Sequence, residues 1–150
     1  MRNVDFSKLK FNHVAIRNDL LLAREQIVKP ILAVAGRKGY CSQDLFAVRL
    51  ALEEAVNNAY KHGNCRDPEK TIRVKWAVDR HAVVICVADE GGGFDPAKVP
   101  DPRTDENREK PSGRGLMLMK AYMSDLDFNR KGNEVRMVKV RQKTGLAPVG

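Results

Sequence analysis

The chain has 150 residues and a mass of 16.8 kDa, the size of one domain. Hydrophobic residues make up 43% and aromatics only 6%, so aliphatic side chains must fill the core. No apolar run approaches the roughly 18 residues of a membrane span, the N-terminus carries no signal-type stretch, and three cysteines (Cys41, Cys65, Cys86) without a CxxC pair argue against a disulfide framework or a zinc ribbon. The expectation is a cytoplasmic chain with no membrane contact.

Net charge is +8, and its placement is uneven. Residues 1–40 carry +5, residues 41–127 carry −2 and residues 128–150 carry +5. A basic balance suits a nucleic acid, a nucleotide or an acidic protein. No lysine–arginine run is interleaved with stacking aromatics, and no helix-turn-helix or zinc-finger spacing occurs. An acidic small molecule or protein therefore ranks ahead of direct nucleic-acid binding.

In chain order, residues 8–17 (KLKFNHVAIR) read as a strand. Asn18 or Asp19 can cap a helix bearing Leu20, Leu21, Leu22, Ile27, Ile31 and Leu32, which Pro30 should kink or interrupt. Gly36 to Cys41 reads as a loop, and Ser42 is placed to cap the most regular helix of the chain. On that helix Leu45, Val48, Leu52, Ala55, Val56 and Ala59 fall on one face, and Gly63 supplies the stop. Two strands follow, TIRVKWAV and HAVVICVAD, joined by a hairpin turn at Asp79-Arg80. Between Glu90 and Gly113 four prolines and many charges interrupt any periodicity, so residues 96–112 read as a loop too long for an ordinary connection. A short helix from Gly115 to about Ser124 leads to strands near 126–130 and 134–142 around a turn at Lys131-Gly132, and the tail from about 144 to 150 reads as frayed.

Three stretches carry chemistry. Glu54 and Asn58 lie four apart on the regular helix and so share a face, a carboxylate beside an amide oxygen. That pairing suits a general base beside a hard metal ligand, although glutamate and asparagine on a helix are ordinarily just solvated. Asp89-Glu90-Gly91-Gly92-Gly93-Phe94-Asp95 follows directly on a strand. There the glycines let backbone approach a ligand, and the aspartate can accept a hydrogen bond from an exocyclic amine such as adenine's. A plain glycine-rich strand exit is an equally good account of that stretch alone. Ser112-Gly113-Arg114-Gly115-Leu116 opens a helix with N–H groups free for an anion, without the GxxxxGK[ST] of a P-loop or a GxGxxG opening a βαβ unit.

In this order and spacing the three stretches resemble the N box and the two glycine boxes of the Bergerat-fold ATPases, the superfamily of gyrase, MutL and histidine kinases. LALEEAVNNAYKHGN, IRVKWAVDRHAVVICVADEGGGFD and GRGLMLMKAYMSDLDF are most similar to the anti-sigma-factor serine/threonine kinases, over roughly Leu45 to Val140. The resemblance implies an α/β (α+β) two-layer sandwich in one domain, a mixed sheet with about three helices on one face. It implies Glu54 as general base and Asn58 as the ligand of Mg2+ on ATP. It further implies Asp89 as reader of adenine, Gly91 and Gly93 beneath the base, Gly113 and Gly115 around the phosphates with Arg114 as a charge partner, and residues 96–112 as an ATP lid. The implied activity is ATP-dependent phosphorylation of an antagonist protein on serine by a homodimer that also binds a sigma factor or similar regulator of transcription. A nucleotide-dependent binding switch without phosphotransfer is the alternative. A detached histidine-kinase catalytic domain fits less well, because those commonly lack a base at the position of Glu54. Two positions stand apart: His62 is read as a helix-end residue meeting the dipole, and Asn133 stands where the family often has threonine supporting the adenine site.

Overall fold

In this computed structural model the described residues are 5–93 and 113–142, and the expected lid (96–112) and tail (144–150) lie outside them. Strands β1 (Asn12–Arg17), β2 (Thr71–Val78), β3 (Ala82–Ala88), β4 (Asp125–Phe128) and β5 (Glu134–Val140) form one sheet in the order β1-β2-β3-β5-β4. Every pairing among them is antiparallel, where a mixed sheet was expected. Tight turns make this inevitable for β2–β3 and β4–β5, since a parallel pair needs a crossover of a dozen or more residues. Asp79 makes the first turn by accepting the N–H groups of His81 (2.7 Å) and Ala82 (2.9 Å) on one carboxylate oxygen.

The sheet buries one face under helices, as a two-layer sandwich requires. Ile16, Ile72, Val74, Trp76, Val83, Ile85, Val87, Val135 and Met137 point into that layer. They meet Ile27, Ile31, Val48, Leu52, Ala55 and Val56 from the helices, with Met119 and Met123 closing one end. Strand β3 is the most buried of the five, with Ala82 through Val87 covered on both faces. Phe6, Leu9 and Phe11, from the segment before β1, cover Ala82, Val84 and Val138 on the far side. Cys86 and Trp76 are buried in the sheet, whereas Met117 is exposed.

Asp19 caps the first helix, accepting the N–H groups of Leu21 (2.8 Å) and Leu22 (3.1 Å). Helix α1 (Leu20–Ala23) runs through a π turn at Arg24–Val28 into α2 (Lys29–Arg37), so Pro30 sits in the first turn of a helix instead of breaking one. The helical path continues through it, and the widened turn just before it accommodates a ring that has no N–H to donate. Helix α2 also runs on through Gly36 to Arg37, two residues into the expected loop.

Helix α3 (Ser42–Asn58) begins with Ser42 as its first helical residue. The cap position belongs to Cys41, in extended backbone (φ −74°, ψ 168°), and its side chain makes no capping hydrogen bond. Asp44, the third helical residue, accepts the N–H of Gln142 at 3.0 Å. Helix α4 (Gly113–Tyr122) likewise starts two residues before the expected Gly115. No helix of the described residues is long and apolar enough to cross a membrane.

Because the α3 cap carries no oxygen, Cys41→Ser should add one bond to an open N–H and stabilise the protein by about 1 kcal/mol. Urea denaturation at pH 7 reads the gain as a higher midpoint with an unchanged slope; an unmoved midpoint would show that the hydroxyl does not reach the helix.

Candidate nucleotide cleft

Helix α3 does not stop cleanly after Asn58. It widens into a π turn over Ala59–Gly63, and the chain leaves through Asn64. That end of the helix abuts the exit of β3, and between them opens a cleft of about 230 Å³. Its walls are the α3 end (Asn58, Ala59, His62, Gly63), the β3 exit (Asp89 to Gly93), Met119 of α4, and Phe128 with Gly132 to Val135 around the β4–β5 turn.

The structure brings the expected residues of two separate stretches together in this cleft: Asn58 from α3, and Asp89, Gly91 and Gly93 from the β3 exit. The approach is close. A methyl group on Gly63 would overlap the Asp89 carboxylate, and one on Gly91 would overlap the Gly63 carbonyl. Gly93, at φ +84°, lies against the Lys131 carbonyl, so both its backbone conformation and its space demand glycine. One Asp89 oxygen accepts the Gly91 N–H at 2.7 Å, while the Asp89 N–H donates to the Asn133 carbonyl at 3.0 Å.

The third stretch arrives through α4. A Cβ built on Gly115 would stand 2.9 Å from Glu54 Oε2 and 3.6 Å from Asn58 Nδ2, so the first turn of α4 faces the Glu54–Asn58 pair. Glu54 is half-buried in that contact and stands beside the lining of the cleft proper. Gly113 is the first residue of α4, and Arg114 is exposed on the same turn. N–H groups of a helix's first turn lack intrahelical partners and favour an anion. The chemistry of the pair fits a phosphate-borne Mg2+: a neutral amide oxygen on Asn58, a carboxylate one turn away, and a cradle that a Cβ on Gly115 would fill. Among the described residues no cluster of three His, Cys, Asp or Glu is placed to hold a metal ion unaided.

Burial pushes the Glu54 carboxyl above its ordinary value, and the neighbouring Glu53 adds to the effect. Burial also pushes Asp89 up, opposed by the Gly91 N–H and by the charges of Lys70, Arg73 and Lys131. Glu90, fully exposed, is held low by the backbone and hydroxyl of Thr71.

Sequence reasoning missed part of the cleft. His62, read as a helix-end residue, is in the last turn of the helix and also lines the cleft. Lys70 and Phe128 line it with no local motif to signal them. Asn133 does support the site, but through Gly91: its Nδ2 donates to the Gly91 carbonyl at 3.3 Å and its Oδ1 accepts from Asn129 Nδ2 at 2.7 Å.

An antiparallel sheet under helices, with a cleft between an asparagine-bearing helix and a glycine-rich strand exit, defines the class of Bergerat-type ATPase domains. The sequence matches the family described as histidine kinase-like ATPase domain over residues 19–139. The chain belongs to that family. It is 30% identical over 113 residues to the serine-protein kinase RsbW of Bacillus subtilis strain 168, covering 71% of each chain. It is 28% identical over 95 residues to the anti-sigma F factor of Anoxybacillus flavithermus, covering 61% of this chain and 64% of that one. In three dimensions it is similar to the crystal structure of the RsbU and RsbW domains of Rv1364c from Mycobacterium tuberculosis, with a TM-score of 0.58 at 17% identity. That superposition covers 89% of this chain and 32% of the other, and it supports the fold.

A carboxyl raised in the folded state binds more protons than in the unfolded chain, so it lowers stability as pH rises through the window between the two values. Asp89→Asn keeps an acceptor for the Gly91 N–H and removes the charge. Without ligand it should be more stable than the wild type at pH 7, and the advantage should vanish below about pH 3.9, the usual aspartate value. Urea titrations across that range measure it; an asparagine variant less stable at pH 7 would show that the surrounding cations outweigh burial.

Proposed function

We propose that this chain is an ATP-dependent protein serine kinase of the anti-sigma type, which binds a sigma factor or similar regulator and phosphorylates an antagonist protein on serine. The observation that carries the chemistry is the placing of Gly115 against Glu54 and Asn58. It sets a carboxylate, a side-chain amide and the open end of a helix around one point at the edge of the cleft. Relatives named serine-protein kinase and anti-sigma F factor support the substrate class and the partner. The family resemblance extends the reading to a chain that forms one ATP-binding unit and pairs as a homodimer.

In this reading adenine lies in the cleft over Gly91 and Gly93, and Asp89 accepts a hydrogen bond from its exocyclic amine. The triphosphate runs toward the first turn of α4, where Gly113 and Gly115 leave room for backbone N–H groups to meet it and Arg114 adds positive charge. Asn58 would hold Mg2+ through its amide oxygen, and that ion supplies neutralisation of phosphate charge. Glu54 takes the proton of the antagonist's serine hydroxyl. The serine oxygen forms a bond to the γ-phosphorus, the bond from that phosphorus to the β–γ bridging oxygen breaks, and ADP leaves. A raised Glu54 pKa strengthens it as a base near neutral pH.

Three variants test the reading from different sides. Asp89→Ala should lose ATP affinity by about 1.5–3 kcal/mol, the worth of a hydrogen bond to a charged group, and should erase the preference of the wild type for ATP over GTP in calorimetry. Equal affinity of the wild type for both nucleotides would remove Asp89 from adenine recognition.

Glu54→Gln should bind ATP nearly as the wild type does, while single-turnover transfer to an antagonist protein falls by about 10²–10⁴. Asn58→Ala should lose both binding and transfer. Transfer by Glu54→Gln at the wild-type rate would show that another group takes the proton; ATP binding by a wild type that labels no antagonist serine would select the binding switch.

A further inference from the structure

Asn64 is fully buried, a polar side chain with no access to water at the corner where α3 ends. Burying an amide is costly unless each of its groups is bonded, and here each has a partner. Its Nδ2 donates to the Thr71 carbonyl at 2.8 Å and to Asn18 Oδ1 at 3.0 Å. Its Oδ1 accepts the backbone N–H of Glu90 at 2.8 Å. The orientation of the amide is fixed by these partners, because a carbonyl only accepts and a backbone N–H only donates.

The Glu90 N–H belongs to the peptide that immediately follows Asp89. One residue earlier in the same corner, Gly63 lies against the Asp89 carboxylate with no space for a methyl group between them. One residue pulls the backbone after Asp89 toward the end of α3, and the other leaves the gap that the carboxylate then occupies. Glu90 closes the corner from outside, its Oε2 accepting the hydroxyl of Thr71 at 2.9 Å. Asn18 Nδ2 returns to the Tyr60 carbonyl at 3.4 Å, so the last turn of α3 is tied to the same network.

We propose that Gly63 and Asn64 are positioning residues for base recognition: together they set where the Asp89 carboxylate stands, and so the preference of the cleft for a purine carrying a 6-amino group. This rests on the reading of Asp89 as the group that meets adenine. Neither residue touches the base in this account; each acts through Asp89. A contribution to folding alone would weaken the binding of every nucleotide alike, whereas misplacing Asp89 removes only the advantage of the amine.

The test compares ATP with purine riboside triphosphate, which lacks that amine, by calorimetry with magnesium present. The wild type should favour ATP by about 10- to 100-fold. Gly63→Ala and Asn64→Ala, each confirmed folded by circular dichroism, should bring the ratio below about 3-fold, and in Asn64→Ala, whose side chain is not part of the cleft wall, binding of the purine nucleotide should change little. A wild type that binds the two alike overturns the reading of Asp89 and this proposal with it. A wild type that discriminates, with folded variants that discriminate equally well, overturns the proposal alone. Should a variant not fold, hydrogen exchange of the Glu90 amide in the wild type decides. Slowing by about 100-fold relative to an unprotected peptide is expected, and exchange at the unprotected rate overturns the pin from Asn64.

Discussion

Between Gly63 and the Asp89 carboxylate there is no room for a methyl group, and the same holds between Gly91 and the Gly63 carbonyl. This contact between the end of a helix and the end of a strand is what shapes the cleft. It requires α3 to lie low over the sheet, which the small residues Ala51, Ala55 and Ala59 along its buried face allow. It also requires β3 to hold its place, and β3 is buried on both sides as the middle strand of five. Close packing converts small side chains into short distances between backbones, and here the short distance is used to set a carboxylate beside a ligand site.

Electrostatics in the cleft work against folding. Glu54 and Asp89 are both pushed upward by burial, so their ionised forms are less stable in the folded protein than in water. Lys70, Arg73 and Lys131 reach Asp89 from β2 with its approach and from the β4–β5 turn, and offset part of that cost. Such strain is common where a site is preorganised for a ligand and stability is found elsewhere. Here it is found in the aliphatic layer between sheet and helices and in the cover that Phe6, Leu9 and Phe11 give the far face. The same basic groups suit a protein of this family, whose nucleotide arrives with several negative charges.

Much was legible in the sequence because its signals are local. The three- and four-residue spacing of Val48, Leu52, Ala55 and Val56 placed α3, and alternation in TIRVKWAV placed β2 with Ile72, Val74 and Trp76 inward. Glu54 and Asn58 share a helix face by geometry alone, and a glycine run after a strand must lie at its exit. The difference at Cys41 was one residue, because Cys41 and Ser42 both border the helix and the backbone turns helical only at Ser42.

What the sequence by itself determined was therefore the set of elements and the residue types that each presents. What only the tertiary structure decided was which of those elements meet, and how closely. Asn18, Asn64, Thr71 and Glu90 form one hydrogen-bonded corner around two buried asparagines, although 46 residues separate the first two and 26 separate Asn64 from Glu90. Each looks like an ordinary surface polar residue in its own stretch. Nothing within a few positions of Asn64 reveals that its amide is sealed from water, because burial is a property of chains brought together from far apart, and a hydrogen bond across such a distance has no period in the sequence for a local pattern to carry.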